Sequence, residues 1–150
     1  MVCVFCRIIE GKERSWKLYE NDGLIVILDK YPVTRGHSLV IPKTHYESIT
    51  SMPLSLSAKL FCYASSLAST FEKLGAKGVN ILTNSGSLAG QAIFHAHIHV
   101  IPRWRTEDHI AYTGFFGRSV IKEPDNVLNW LKPYVEDALA NAKRSCSPPS

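Results

Sequence analysis

Residues 95–99 read His-Ala-His-Ile-His, three imidazoles alternating with small or branched apolar residues. Only an extended strand gives residues two apart a common face. The run therefore predicts a strand over Phe94–Ile101, with all three imidazoles on one side and Phe94, Ala96, Ile98 and Val100 on the other, facing a core. A merely solvated strand face seldom needs three histidines, so this face reads as reactive. One metal ion does not suit all three. A strand rises about 3.3 Å per residue, which separates His95 from His99 by about 13 Å of backbone, whereas zinc needs each donor within about 2.1 Å. The spacing predicts a divided role: one outer histidine joins a different site, and the other two do chemistry.

The rest of the chain supplies strands for that one to pair with and helices to cover it. Trp16–Glu20 and Leu24–Leu28 flank Asn21-Asp22-Gly23, a hairpin signal. Asp29 to Gly36 reads as a loop, and His37–Ile41 as a strand closed by Pro42. From Ser55 to Leu74, Leu56, Leu60, Tyr63, Leu67, Phe71 and Leu74 recur every three or four residues, which predicts a long helix ending at Gly75. Val79–Thr83 is a fourth strand, joined to the histidine strand by a loop of small residues, Asn84 to Gly90. A last helix covers Asp125–Lys143, with Pro133 marking a kink or break. The expectation is an α+β domain: an antiparallel sheet of about five strands, one long central helix and a C-terminal helix. Residues 1–144 form a single domain, and 145–150 (the end of which reads CSPPS) a frayed tail.

Composition narrows the function classes. With 45% hydrophobic residues the chain can bury a real core. A formal charge of +4 suits an anionic ligand but not a protein that coats nucleic acid. The longest purely apolar run, Leu24–Leu28, is far short of the ~20 residues of a membrane span. With no signal-peptide pattern at the start either, a cytoplasmic protein is expected. Of four cysteines, Cys3 and Cys6 form a C-x-x-C pair, a metal or redox candidate in a reducing compartment. Cys62 reads as a small core residue and Cys146 as part of the tail.

The run Gly90-Gln91-Ala92-Ile93-Phe94-His95-Ala96-His97-Ile98-His99-Val100-Ile101-Pro102-Arg103 resembles the signature of the histidine triad (HIT) family, nucleotide-binding hydrolases and transferases. Cys3 to Ile9 resembles the N-terminal segment of its zinc-containing prokaryotic members, and Gly36 to His45 resembles their central strand. The resemblance covers roughly residues 3–105. It implies a homodimer sharing one continuous sheet and attack on the α-phosphate of a nucleoside phosphoramidate or dinucleoside polyphosphate, releasing a nucleoside monophosphate. His97 would be the nucleophile, through a covalent nucleotidyl-imidazole intermediate, with His99 and His37 donating hydrogen bonds to phosphate oxygens.

The resemblance also implies a structural zinc site at Cys3, Cys6, His45 and His95, which would pin the N-terminus and employ His95. The competing reading is a reduced, metal-free cysteine pair. For an AMP-like purine nucleotide, Asp29 is a candidate for the ribose hydroxyls, though it could be a plain loop-start aspartate. Phe5, Ile8, Ile27 and Leu28 are candidates for an apolar base slot, or simply core. Asn84, Gly90 and Gln91 can reach ribose or phosphate, and Gly86 allows close backbone approach to a phosphate. Arg103, Trp104 and Arg105 could meet distal phosphates or a second base, or be surface charge. One position departs from the pattern: Ala92 stands where many members carry Ser or Thr. That favours good leaving groups such as those of dinucleoside polyphosphates. The alternative reading is a non-catalytic purine-nucleotide-binding module of the same fold. A metal-dependent hydrolase using the triad as ligands ranks third, and neither membrane nor direct nucleic-acid binding is expected.

Overall fold

The computed structural model describes residues 2–147. Five strands form one antiparallel sheet: β1 (Lys17–Glu20), β2 (Leu24–Leu28), β3 (Ser38–Pro42), β4 (Gly78–Leu82) and β5 (Ile98–Arg103). Their order is β1-β2-β3-β5-β4, so β3 and β5 lie side by side at the centre. The register sets Leu39 opposite His99 and Val40 opposite Ile98. The helices are α1 (Val4–Ile9), α2 (Leu54–Lys73), α3 (Ile110–Thr113) and α4 (Pro124–Ser145).

The apolar run Leu24–Leu28 does not alternate with polar residues because both faces of β2 are covered. Leu24, Val26 and Leu28 join Leu60, Tyr63, Leu67 and Phe71 of α2 and Leu131, Val135 and Leu139 of α4 in the main core. Ile25 and Ile27 face the other way, with Leu39 and Ile41 of β3, onto Phe5 and Ile8 of α1. The two long helices therefore hold one face of the sheet. The short α1 covers part of the other and leaves the rest open for a site.

The expected elements are present with shifted ends, and four expectations are corrected. The histidine strand begins at Ile98 rather than Phe94. Pairing with β3 stops at Val40–Ile98, and the Ala96 N–H donates instead to the Tyr46 carbonyl at 2.7 Å, so the chain leaves the ladder. Phe94 is accordingly exposed, not core. Helix α4 runs unbroken through Pro133. The chain past 144 is no free tail as far as it is described: Ser145 is helical, and Cys146 is buried and disulfide-bonded to Cys62 of α2. Cys62 packs against the core as expected, and the disulfide adds a covalent partner that its position did not signal. Residues 148–150 lie outside the described residues. Among the described residues no helix is long and apolar enough to cross a membrane.

Candidate functional site

The open part of the sheet carries a cleft of about 300 Å³, at the lower end of the size that takes a small ligand. Its floor is β2, β3 and β5; Phe5 and Ile8 of α1 form one side, and Asn84, Gly90 and Ala92 another. His97, His99, His37 and Asp29 all face into it.

Hydrogen bonds fix which ring nitrogen of each histidine carries its proton. His97 Nδ1 sits 2.7 Å from the His95 carbonyl, which can only accept, so the proton is on Nδ1 and the Nε2 lone pair is free. The Val33 N–H donates to His37 Nδ1 at 3.0 Å, placing the His37 proton on Nε2. That Nε2–H donates to His99 Nδ1 at 3.0 Å, so His99 carries its proton on Nε2. The cleft thus holds one imidazole with an exposed lone pair beside another with a free N–H, their rings 4.9 Å apart.

Burial keeps these rings neutral. Desolvation, reinforced by His99, Arg103 and His97, lowers His37 to about 3. Desolvation and the neighbouring His97 lower His99 to about 4. His97 is also lowered by burial, against the opposing bond to the His95 carbonyl. The Asp29 carboxyl is raised by burial to about 6, although the Tyr31 N–H donates to its Oδ1 at 2.8 Å and opposes the shift. Its Oδ2 lies 3.4 Å from His37 Nε2; with His37 neutral, this is a polar contact and not an ion pair.

His95 is turned away from the cleft and fully buried. Its Nε2–H donates to the Pro42 carbonyl at 2.8 Å, leaving the Nδ1 lone pair toward Cys3 Sγ at 3.4 Å and Cys6 Sγ at 3.6 Å. His45 Nδ1 completes the group, 3.4 Å from Cys6 Sγ and 3.1 Å from His95 Nδ1. Four donors on one tetrahedral zinc ion stand about 3.3–3.8 Å apart, given Zn–S near 2.3 Å and Zn–N near 2.0–2.1 Å. The donor set and its spacing fit a metal of that kind, and the Pro42 carbonyl supplies the outer partner that orients a ligating imidazole. Desolvation and the adjacent Cys3 push the Cys6 thiol up to about 11, the opposite of what a redox C-x-x-C needs.

Among the sequence candidates, Phe5, Ile8, Ile27, Leu28, Asp29, Asn84 and Gly90 do line the cleft together with the three histidines. Gln91 does not. It is buried, with its Nε2 donating to the carbonyls of Glu47 (2.6 Å) and Ile93 (3.1 Å) and its Oε1 accepting from the Gly86 N–H, so it shapes the loop from inside. Arg103 is likewise buried, donating to Asn80, Asp108, Thr113 and Gly114. Trp104 packs on Phe71 and Trp130 and donates to the Arg35 carbonyl. Neither faces the cleft. Sequence reasoning missed Trp16, Tyr31, Phe115 and Phe116, which do line it. The Phe-Phe pair between Gly114 and Gly117 was the one available signal for the last two.

Fold and site together define a two-layered α+β domain with a histidine-lined cleft over its central strands. The HIT domain model matches residues 10–106, and the chain belongs to the histidine triad family of nucleotide-binding hydrolases and transferases. It is 39% identical over 110 residues to a HIT-like protein of Saccharolobus solfataricus, covering 73% of this chain and 79% of that one. It is 45% identical over 102 residues to adenylylsulfatase HINT3 of Arabidopsis thaliana, covering 67% of this chain and 52% of that protein. A crystal structure of a Zn-bound histidine triad family protein from Mycobacterium smegmatis superposes with a TM-score of 0.80 at 34% identity, covering 95% of this chain and 99% of that one.

Proposed function

We propose that this protein cleaves or transfers nucleotides by attack of His97 Nε2 on the α-phosphate, with release of a nucleoside monophosphate. The observation that carries the reading is the 2.7 Å bond from His97 Nδ1 to the His95 carbonyl, which aims an unprotonated nitrogen into the cleft. An imidazole so held is a competent nucleophile at neutral pH. As the P–N bond forms, the bond to the leaving group breaks and takes its electron pair with it. Water then attacks phosphorus, the P–N bond breaks and His97 recovers its lone pair. His99 Nε2–H donates to a phosphoryl oxygen as charge builds there, held in place by His37. Asp29 accepts from the ribose hydroxyls, and the base lies in the slot of Phe5, Ile8, Ile27 and Leu28. Asn84 and Gly90 border the phosphate position.

Ala92 offers no hydroxyl to protonate a departing group, so the favoured substrates lose a group stable as an anion: a phosphoanhydride, as in dinucleoside polyphosphates, or a sulfate, as the name of the Arabidopsis relative suggests. Cys3, Cys6, His45 and His95 would hold a structural zinc ion that ties α1 to the sheet. Bound there, zinc would supply folding energy and stand outside the reaction. Two copies pair along a sheet edge.

The test is AMP release from diadenosine tetraphosphate, adenylyl sulfate and adenosine phosphoramidate by native protein and His97→Ala. Native turnover that falls by at least about 10³-fold in the variant, with nucleotide still bound, is expected for loss of a covalent nucleophile. Tight AMP binding by both proteins with no turnover by either would replace this reading with the binding module.

A further inference from the structure

The family match ends at residue 106, yet the cleft has a wall built from beyond it. Between α3 and α4 the chain returns to the site, and three contacts hold it there. The buried Arg103 guanidinium donates to Thr113 Oγ1 and the Gly114 carbonyl. Gly117 lies so close to the Tyr31 carbonyl that any side chain at 117 would collide with it. The Ile121 N–H donates to the Lys30 carbonyl at 2.8 Å. Fixed on either side in this way, the segment presents Phe115 and Phe116 to the cleft.

Phe116 rests against Gly90, whose own φ of +95° already excludes most side chains; a Cβ there would meet the ring at 2.9 Å. Asn84 lies beside the same glycine. Phe116 therefore stands beside Gly90 and Asn84, the residues that the proposed function assigns to the phosphate position. The neighbouring Ala92 presents only a methyl group. Both aromatic rings remain substantially accessible, Phe116 at 62% and Phe115 at 38%. Two adjacent accessible rings braced at the wall of a cleft offer faces on which a planar group can stack.

We infer that Phe115 and Phe116 form a subsite for a planar aromatic portion of the leaving group, making this chain selective for nucleotides whose α-phosphate carries an aromatic substituent. The inference rests on the hydrolase reading and specifies its substrate class. The aromatic group can be an aryl group joined through oxygen directly to the α-phosphate, or a second nucleobase at the end of a polyphosphate. In the first case His97 Nε2 bonds to phosphorus, the P–O bond breaks and its electron pair leaves on the aryl oxide. That oxide needs no proton, in keeping with Ala92. Water then returns His97 and AMP.

The experiment compares kcat/KM for the 1-naphthyl ester of AMP with that for a fluoroalkyl ester whose alcohol has matched acidity, so that intrinsic reactivity cancels. Diadenosine tetraphosphate against ATP forms the second arm, and a preference in only one arm identifies which source of the aromatic group is used. In native protein the aromatic member is favoured by about tenfold, the scale of one aromatic stacking contact. In Phe115→Ala/Phe116→Ala the ratio drops to about one. Gly117→Ala, which displaces the loop while keeping both rings, lowers the ratio as well. An unchanged melting temperature in each variant reports an intact fold. Parity in both arms for native protein, or a preference that survives in both variants, overturns the inference. Should neither the esters nor diadenosine tetraphosphate turn over, the hydrolase reading fails. Equilibrium binding of the two esters then decides the subsite alone: a tenfold difference lost in the variants supports it, and equal affinities overturn it.

Discussion

Removing the zinc proposed for the Cys3/Cys6/His45/His95 group should separate binding from chemistry. Helix α1 has only six residues, far too few to persist alone. What holds it is the burial of Phe5, 3% exposed, against Ile25, Ile27, Leu39 and Ile41, together with, on the proposed function, a zinc ion held by the four ligands. Burying one phenyl ring contributes about 1.5–3 kcal/mol. Ordering six residues costs about 6–12 kcal/mol of backbone entropy. Phe5 alone falls short, so chelation should release the arm. Phe5 and Ile8 also wall the base slot, and losing that side costs a ligand about 1–2 kcal/mol, or roughly 5- to 30-fold in Kd. The His97 nucleophile should survive, because the His95 carbonyl that orients it is anchored independently by the His95 Nε2–H bond to Pro42. The assay is hydrogen exchange over residues 2–10 alongside adenosine Kd and single-turnover rate, before and after a strong chelator. Expected are lost protection in the arm, a weakened Kd and a rate at saturation within about threefold. An immediate collapse of the saturated rate with the arm still protected would refute the reasoning and assign the metal to catalysis.

Three further outcomes are expected. Asp29 titrates near pH 6 while His37 and His99, at about 3 and 4, stay neutral, so affinity for adenosine (which has no phosphate to titrate) should be full above pH 6. It should fall by up to about tenfold per pH unit below that value, and calorimetry on Asp29→Asn should give a flat profile. Because the folded Asp29 carboxyl binds its proton more tightly than the unfolded one at 3.8, its contribution to stability is fully favourable below about 4 and is lost as pH rises through 6. The Cys62–Cys146 bond closes a span of 84 residues, worth about 4–5 kcal/mol in the chain-entropy treatment. Urea titration with and without reductant should show an unfolding free-energy difference of that order, absent from Cys62→Ser/Cys146→Ser. Ala92→Ser should raise turnover of adenosine phosphoramidate by about tenfold or more while leaving diadenosine tetraphosphate within twofold, since only the amine leaving group needs a proton; equal effects on both substrates would count against the leaving-group argument.

Local pattern carried most of the fold. The three- and four-residue spacing from Leu56 to Leu74 reads directly as α2, and Asn21-Asp22-Gly23 as the β1–β2 turn, because each signal is complete within a few residues. Alternation at 95–99 led to a divided role for the histidines, and His95 does lie buried apart from the cleft that His97 and His99 line, but it misplaced the strand start. What makes β5 begin at Ile98 is where β3 stops pairing with it, and Tyr46, which takes the Ala96 N–H, is fifty residues away. Gln91 and Arg103 look from sequence like ligand-binding residues, since a polar side chain near a glycine loop carries no mark of which way it turns. Phe115, Phe116 and the partner of Cys62 depended on where the chain after β5 returns, which no local spacing encodes.

The Val33–His37–His99 chain has one further consequence. Its hydrogen bonds all run one way, and it starts at a backbone amide that cannot surrender its proton. Were His99 to give up its Nε2 proton, the replacement on Nδ1 would come from His37, which would then be an imidazolide with only the Asp29 carboxyl, ionised above about pH 6, beside its Nε2. Above that pH the pair is thus a dead-ended wire: it can polarise an oxygen held in front of it but cannot resupply a proton. On the proposed mechanism such wiring would discriminate by the basicity of what departs as well as by shape. Groups that leave content as anions would pass, and those that need a proton on the way out would be held back for want of a donor.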